Sequence, residues 1–150
     1  MDQQSITLPL LLGIASSLVA TAIFICISEA FRKILIPWFS DKVYRGVRID
    51  GEWSSEEGDA NFNLKQWGDK ISGIYSHGEP GDVTTYNVVG TIKNMYFMAF
   101  TEPVSYKVID AGSLLMHVEY RGGKLILRGS LLYKGSPGEV KAWEGMVFKQ

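Results

Sequence analysis

The sequence lacks charge over a long N-terminal stretch: no Asp, Glu, Lys or Arg lies between Asp2 and Glu29. The 23 residues from Ile6 to Ser28 would form a helix about 34 Å long at 1.5 Å per residue, enough to cross about 30 Å of hydrocarbon. A cleaved signal peptide is the alternative, but it would begin with basic residues and have a shorter apolar core. The pattern predicts one transmembrane helix, with residues 1–40 forming this helix and an interfacial segment.

Cysteine and histidine are also scarce. Cys26 is the single cysteine, so no disulfide can form within one chain. The two histidines, His77 and His117, are far apart, and neither belongs to a metal-binding spacing or to a nucleophile and base set. No phosphate-binding glycine loop precedes a helix. We therefore expect no enzyme activity, no metal site and no cofactor.

Basic residues follow the apolar stretch, and the positive-inside rule then predicts a cytoplasmic C-terminal part and an N-terminus on the other side. They are Arg32, Lys33, Lys42, Arg45 and Arg48. Trp38 and Phe39 stand where aromatic residues anchor a helix at the membrane surface. Pro37 is expected to kink or end the helix, because proline cannot donate a backbone hydrogen bond.

Small residues recur at four-residue spacing within the apolar stretch, at Gly13, Ser17 and Thr21. Such a stripe allows transmembrane helices to approach closely and to form hydrogen bonds between them. It predicts self-association in the membrane, although small residues are common in any transmembrane helix.

From residue 47 onward, apolar and polar residues alternate between turn residues, which is typical of antiparallel strands. The predicted strands are 47–54, 60–66, 71–76, 84–92, 95–102, 112–120, 125–133 and 140–149. Eight is the number at which an up-and-down sheet closes on itself and leaves room for side chains or one small ligand. The predicted fold is therefore all-β, an eight-stranded antiparallel up-and-down barrel of the lipocalin-like type over 47–150, joined by a linker, 41–46, to one N-terminal transmembrane helix.

Three two-residue turns, Gly68-Asp69, Lys93-Asn94 and Gly122-Gly123, predict which residues face each other, because a two-residue loop fixes the register. The predicted pairs are Gln66 with Ile71, Leu64 with Gly73, Phe62 with Tyr75, Ile92 with Met95, Gly90 with Phe97, Val88 with Ala99, Tyr86 with Thr101, Tyr120 with Leu125, Val118 with Leu127, Met116 with Gly129 and Leu114 with Leu131. The predicted inner face holds Trp53, Leu64, Ile71, Val88, Ile92, Phe97, Met116, Val118, Leu127, Leu131, Trp143 and Val147.

Five glycines fall on the same inner face: Gly51, Gly73, Gly90, Gly129 and Gly145. Glycine weakens a strand and needs a reason there. Strong curvature of a small barrel and close approach of a ligand are both open explanations.

Longer loops at the end away from the tight turns predict a binding mouth, since loops over a rigid scaffold commonly carry function. The candidate ligand-binding residues near this mouth are Tyr75, Thr84, Tyr86, Thr101, Tyr133 and Lys141. Aromatic rings, hydroxyls and one ammonium suit a flat polar ring such as a nucleobase. The alternative is that the tyrosines simply fill a small barrel.

Charge is predicted to separate along the barrel, with basic residues, Lys149 among them, near the tight turns and acidic ones near the mouth. The acidic rim comprises Glu56, Glu57, Asp59, Glu79, Asp82, Glu102, Asp110 and Glu139. Such a rim repels anions, so an anionic ligand would have to reach Lys141 or use the outer surface near His117 and Arg128, which are predicted cross-strand neighbours.

The motif Gly51-Glu52-Trp53 resembles the G-x-W of lipocalin-type barrels. Together with one apolar span, a basic flank and an eight-stranded meander, the whole chain resembles the transmembrane β-barrel effectors of bacterial CBASS antiphage systems. The resemblance implies a partner ligand, a cyclic nucleotide made by a CD-NTase and most simply a cyclic dinucleotide. It also implies a homo-oligomer that disrupts the bacterial inner membrane and causes abortive infection, with no DNA or RNA polymer as partner.

Two other functions remain open from the residues. One is a membrane-tethered, lipocalin-like carrier or sensor of a lipid or another apolar small molecule. The other is a structural subunit with a solid barrel that docks a protein partner.

Overall fold

The computed structural model describes residues 4–79, 81–105, 111–134 and 139–150. The chain forms two compact units, Met1–Ser40 and Asp41–Gln150.

The N-terminal unit is helical. Helix α1 spans Gln4–Ala30, a π-helical turn spans Phe31–Leu35, and helix α2 spans Ile36–Val43. The stretch Pro9–Val43 is long and apolar enough to cross a membrane, and an 18-residue window within it has a mean hydropathy of 2.5.

Pro37 does not end the helix, so one of the two outcomes expected from the sequence, an end or a kink, is wrong. In the π-helical turn before it, the backbone N–H of Ile36 donates to the carbonyl of Phe31, five residues earlier. Proline lacks an N–H and its ring crowds the carbonyl four residues before it. The wider π-helical turn coincides with this crowding, and the helix continues to Val43.

The second unit is a closed barrel of eight antiparallel strands in chain order, with β8 paired to β1. This confirms the predicted fold class. The strands are β1 Gly51–Ser55, β2 Ala60–Trp67, β3 Lys70–Glu79, β4 Asp82–Lys93, β5 Tyr96–Pro103, β6 Gly112–Arg121, β7 Lys124–Lys134 and β8 Val140–Lys149.

The first strand begins at Gly51, four residues later than predicted. At residues 47–49 the side chain of Gln66 forms the hydrogen bonds that a neighbouring strand would form. Gln66 Oε1 accepts from the N–H of Ile49 at 2.8 Å, and Gln66 Nε2 donates to the carbonyl of Val47 at 3.2 Å. Trp53 Nε1 donates to the carbonyl of Ile49 at 2.9 Å. Residues 47–50 therefore pack into the tight-turn end of the barrel instead of extending β1.

Two of the three predicted registers are confirmed, those of the β2–β3 and β6–β7 hairpins. The β4–β5 register was wrong by two residues, since Ile92 pairs with Phe97 rather than with Met95. The loop is Asn94-Met95, and both residues have positive φ, 51° and 68°, as a type I′ turn requires. A shift of two residues keeps every side chain on its predicted face.

Strand β8 also departs from simple alternation. Val147 was predicted to point inward, but Met146 and Phe148 are the buried residues. Gly145 has a φ of 74°, and the β7–β8 register is irregular between Gly129 and Leu131. A bulge at this place changes which face the following residues point to.

The predicted core is otherwise confirmed, and its buried members from the prediction are Trp53, Leu64, Ile71, Val88, Ile92, Phe97, Met116, Val118, Leu127 and Leu131. Three of the inward glycines mark close contact between strands. A Cβ at Gly73, Gly90 or Gly129 would lie 2.0 to 2.2 Å from a carbonyl oxygen of the adjacent strand. Tight packing of the backbone, and not the approach of a ligand, explains these three positions.

Candidate ligand-binding cavity

The barrel contains an open cavity of about 260 Å³ at the end opposite the tight turns. Strands β3 to β8 contribute its walls. The lining residues are Tyr75, His77, Tyr86, Thr101, Gly112, Leu131, Tyr133 and Trp143.

Four of the six predicted ligand-binding residues lie together on this wall: Tyr75, Tyr86, Thr101 and Tyr133. Thr84 is half-buried beside His77 in the β3–β4 pairing and is not part of the wall. The ligand-binding role of all six residues stays a prediction.

Lys141 was predicted to face the mouth from within. It is the register partner of Tyr133, but its side chain is exposed and its Nζ lies 3.9 Å from Glu139 Oε2. A long ammonium side chain keeps its head in water while its stem follows the surface. Lys141 therefore stands beside the mouth and not on the cavity wall.

His77 is a wall residue, although it falls in the predicted loop between the predicted strands 71–76 and 84–92. Strand β3 continues to Glu79 and β4 begins at Asp82, so only residues 80–81 connect them. The predicted long loop at this point was wrong. The two-residue alternation through Gly73 and Tyr75 continues to His77, and this alternation was the signal available in the sequence.

A cluster of aromatic rings in the core adjoins the cavity wall at Tyr75. The ring of Phe62 lies 4.7 Å from that of Tyr75 and 4.5 Å from that of Phe148, measured between centroids. All three side chains are buried. Tilted pairs at such distances are favourable beyond their buried area, so the core is firmly packed behind Tyr75.

The walls carry aromatic faces with polar tips. The rings of Tyr75 and Tyr86 are 5.8 Å apart, and His77 meets the edge of Trp143 at 4.7 Å with an angle of 70° between planes. Trp143 was predicted to point inward, but it was not predicted to line the cavity. A ligand entering here meets flat apolar surfaces and hydrogen-bonding groups together.

Two buried polar atoms of the wall have no hydrogen-bond partner among the described residues: Tyr75 Oη and His77 Nδ1. Asp59 Oδ2 lies 3.8 Å from His77 Nδ1, which is too long for a hydrogen bond. Buried polar groups in proteins are nearly always paired. Two such atoms, both on residues of the cavity wall, indicate a missing partner, which reaches them when the side chains that close them from solvent move aside.

The Tyr75 hydroxyl is held in its neutral form. Its side chain is 2% exposed, and burial, followed by the nearby charge of Asp59, raises the pKa of the phenol above its ordinary value. A neutral phenol keeps its proton and can donate it to an acceptor.

Asp59 is fixed at the rim by its neighbours. Ser55 Oγ donates to Asp59 Oδ1 at 2.8 Å, and the N–H of Ala60 donates to Ser55 Oγ at 3.2 Å. These bonds leave Oδ2 directed to the side of His77. The rim thus places a carboxylate close to the imidazole of the wall.

The charge separation predicted along the barrel is incomplete. Lys149, assigned to the basic end, forms an ion pair of 2.7 Å with Glu56 of the acidic rim. The hydrogen bond and charge of Lys149 lower the pKa of the Glu56 carboxyl. The stagger of neighbouring strands in the closed barrel pairs the end of β1 with the end of β8, and part of the rim is thereby neutralised.

The alternative outer surface is an ordinary charged cluster. His117 and Arg128 are register partners, as predicted. His117 Nδ1 and Arg128 Nε lie 3.9 and 3.6 Å from Glu119 Oε1. Within the residues that the structure describes, no three His, Cys, Asp or Glu side chains are grouped to hold a metal ion.

The predicted self-association stripe lies exposed on α1. Thr21 Oγ1 donates to the carbonyl of Ser17 at 2.8 Å, so its hydroxyl is satisfied within the helix. No atom lies within 4 Å of a Cβ built at Gly13. Self-association stays a prediction.

No protein-family model and no curated protein matches the chain. Solved structures similar to it include the short afifavidin–biotin complex, with a TM-score of 0.58, 17% identity and coverage of 76% of this chain and 98% of that one. The rhizavidin–biotin complex has a TM-score of 0.53 and 14% identity, covering 67% and 98%. Apo shwanavidin has a TM-score of 0.51 and 15% identity, covering 68% and 99%. The barrel therefore has an avidin-like fold.

Proposed function

We propose that this chain is a membrane-anchored receptor whose barrel binds a small molecule in the open cavity. The observation that supports this proposal most strongly is a pair of polar atoms without hydrogen-bond partners, Tyr75 Oη and His77 Nδ1, on residues of the cavity wall. Leaving such a group unpaired costs about 1–3 kcal/mol, and a ligand that pairs it recovers this free energy. The likeness to two biotin complexes supports small-molecule binding by a barrel of this kind.

The size of the cavity limits the ligand. Its volume of about 260 Å³ lies just below the range of roughly 300–1,000 Å³ usual for drug-sized ligands. It suits one compact ring system, which is either the whole ligand or the part of a larger ligand that enters the barrel.

A cyclic nucleotide, and most simply a cyclic dinucleotide, is the ligand we favour. One base would stack on the tyrosine rings of the wall, a contact that contributes about 1–3 kcal/mol per base. The neutral Tyr75 hydroxyl would donate to a ring nitrogen or carbonyl of that base. The phosphates would stay outside at the mouth, where Lys141 is the nearest exposed cation on β8.

We further propose that the chain is an effector of a CBASS antiphage system. The apolar helix would cross the bacterial inner membrane with a periplasmic N-terminus and a cytoplasmic barrel, as the basic flank favours. Ligand binding would favour assembly of the barrels, to the extent of its differential affinity for the two states. Assembly would gather the helices and disrupt the membrane, leading to abortive infection. The barrel would bind its ligand without catalysing a reaction.

A second candidate ligand is a compact bicyclic molecule such as biotin, favoured by the likeness to the biotin complexes. A lipid carrier fits the lining less well, because hydroxyl or imidazole groups of Tyr75, His77, Tyr86, Thr101 and Tyr133 stand among the wall residues.

Thermal unfolding of the full chain in detergent tests these ligands side by side. A true ligand at 100 times its Kd stabilises the protein by about 2.7 kcal/mol, and Tyr86→Ala should abolish this gain while Tyr120→Ala, outside the cavity, should retain it. Stabilisation by cyclic dinucleotides supports the effector, by biotin the second candidate, and by fatty acid the carrier. No stabilisation by any of them would contradict the receptor proposal. Release of a dye from vesicles that contain the protein, on addition of the ligand, tests the effector step.

A further inference from the structure

The outer surface of the barrel carries large apolar side chains on four neighbouring strands. They are exposed to an extent that ranges from 42% for Met98 to 70% for Phe100. We call this surface the β4–β7 face, and its members are Val89, Met98, Phe100, Leu115 and Leu132.

The strand pairing makes this face continuous. Val89 is paired with Phe100, and Met98 with Leu115. Ser113 pairs with both Phe100 and Leu132. Paired residues on one face of a sheet are in contact, so these side chains form one patch. Large exposed apolar patches mark interaction surfaces.

Charges of opposite sign flank the patch along β4 to β6. On the side of the cavity, the exposed Glu102 lies next to Asn87 in the β4–β5 pairing. On the side of the tight turns, Tyr96 is paired with Lys93 and with His117. The patch is thus bordered by an acceptor on one side and by donors on the other.

We propose that the β4–β7 face binds the same face of a second copy of this chain, with a twofold axis that crosses β5 between Met98 and Phe100. This operation places Met98 of each copy against Phe100 of the other at the centre of the contact. Val89, Leu115 and Leu132 then lie diagonally to this pair and face the small polar residues Thr91, Ser113 and Ser130 of the other copy. It also places Glu102 of each copy opposite Tyr96 of the other, between Lys93 and His117. A twofold interface must be complementary to itself. The position of Glu102 opposite Lys93 and His117 of the other copy meets this requirement.

The edges of the contact are consistent with this geometry. On β7 the same operation brings Lys134 of one copy towards Arg128 of the other. The charge of Arg128 is balanced by Glu119, whose Oε1 is 3.6 Å from its Nε.

This dimer contact would be the surface through which the barrels assemble in the proposed function. Only the biological role of the assembly rests on that proposal. The twofold contact itself follows from the face and its flanking charges. It requires neither an occupied cavity nor a particular ligand.

Sedimentation equilibrium of the full chain in detergent tests the dimer. Phe100→Asp should raise the dissociation constant of the dimer at least about tenfold, as loss of a central apolar contact does. Tyr120→Asp is the matched control, because Tyr120 is similarly exposed at 72% but lies outside the face, and it should leave association unchanged. Equal association of wild type and Phe100→Asp, or equal weakening by both variants, would overturn the proposal.

A charge exchange tests the predicted orientation. Glu102→Lys should weaken the dimer, and Glu102→Lys combined with Lys93→Glu should restore it. Absence of this restoration would overturn the twofold arrangement. If Phe100 instead mediates association with another protein, or if association depends on lipid content alone, the face has a different occupant and the proposed dimer is overturned as well.

Ligand binding is measured on the same samples. Phe100→Asp leaves the cavity wall untouched, so ligand-dependent stabilisation should be retained even where the dimer is lost. Val89→Asp serves as a second variant if Phe100→Asp does not fold. A dimer that forms as predicted without any ligand response would contradict the receptor proposal alone, and a ligand response without a dimer would contradict this inference alone.

Discussion

Tyr75 and His77 stand next to each other on the inner face of β3, with ring centroids 6.4 Å apart and planes within 5° of parallel. Each carries a buried polar atom that finds no hydrogen-bond partner among the described residues. Their alignment gives the cavity two ring faces and two unused hydrogen-bonding groups on one wall. The function proposed for the barrel depends on this pair.

Removal of the Tyr75 hydroxyl should have opposite effects on the free and the bound protein. In Tyr75→Phe the unpaired buried group is gone, and the free energy of unfolding of the free protein should rise by about 1 kcal/mol or stay unchanged. The ligand loses its partner, so ligand-dependent stabilisation should fall. Urea unfolding with and without ligand measures both. Tyr120→Phe is the control, and a Tyr75→Phe protein that is less stable when free yet binds as well as wild type would contradict the assignment.

Gln66 should contribute strongly to stability at the tight-turn end. Besides its bonds to residues 47 and 49, its Nε2 donates to the carbonyl of Gly68 at 2.8 Å. Gln66→Leu removes the partner of the Ile49 N–H and of the Gly68 carbonyl, while the Val47 carbonyl keeps its bond from the Tyr44 hydroxyl at 3.1 Å. We expect a loss of about 2–4 kcal/mol in the free energy of unfolding. Gln150 forms a similar but exposed bond to the Asp50 carbonyl at 3.0 Å. Gln150→Leu should therefore cost much less, and equal losses would contradict this role of Gln66.

Gly129 should tolerate no side chain. A Cβ there would lie 2.0 Å from the carbonyl oxygen of Leu115 and 2.6 Å from the Cα of Met116. Gly129→Ala forces two strands apart, and we expect a loss of about 2 kcal/mol or more. Gly122→Ala is the comparison, since its space is open and only its positive φ of 59° is strained, at a cost of about 1 kcal/mol. Chemical unfolding of the two variants should show the larger loss for Gly129→Ala, and the reverse order would argue against the close strand contact.

The ion pair of Glu56 with Lys149 predicts a pH dependence. Because the pKa of Glu56 is lowered in the folded protein by the hydrogen bond and charge of Lys149, the pair stabilises the fold above the ordinary pKa of about 4.3 for a glutamate. This contribution is lost as the pH falls through the lowered value. NMR titration of the Glu56 carboxyl should show the pKa rise in Lys149→Met and stay in place in Lys65→Met. An unchanged pKa in Lys149→Met would show that the pair does not form.

The sequence was sufficient to predict the barrel where alternation and glycine turns act together. Gly68-Asp69 and Gly122-Gly123 placed their hairpins correctly because glycine adopts the positive φ of such turns at little cost. In the β4–β5 turn, Met95 takes a positive φ of 68°, which is unusual for a residue with a side chain. The turn was therefore placed one residue too early, and the register was displaced by two.

The remaining differences come from tertiary contacts that local pattern cannot indicate. The start of β1 depends on Gln66, which lies 17 residues away from Ile49 along the chain. The inward place of Met146 and Phe148 depends on the bulge near Gly145. In the site, alternation predicted four wall residues, but His77 was missed because the adjacent Gly78, Pro80 and Gly81 resemble a loop.

The proposal that the cavity binds a small molecule is tested most directly by isothermal titration calorimetry. The full chain in detergent is titrated with cyclic dinucleotides and with biotin, and the titration is repeated with Tyr86→Ala and with Tyr120→Ala. We predict saturable binding of one of these ligands, at no more than one molecule per barrel, which Tyr86→Ala removes and Tyr120→Ala retains. Heat that does not saturate for any ligand, or binding that Tyr86→Ala leaves intact, would contradict a receptor built on this cavity.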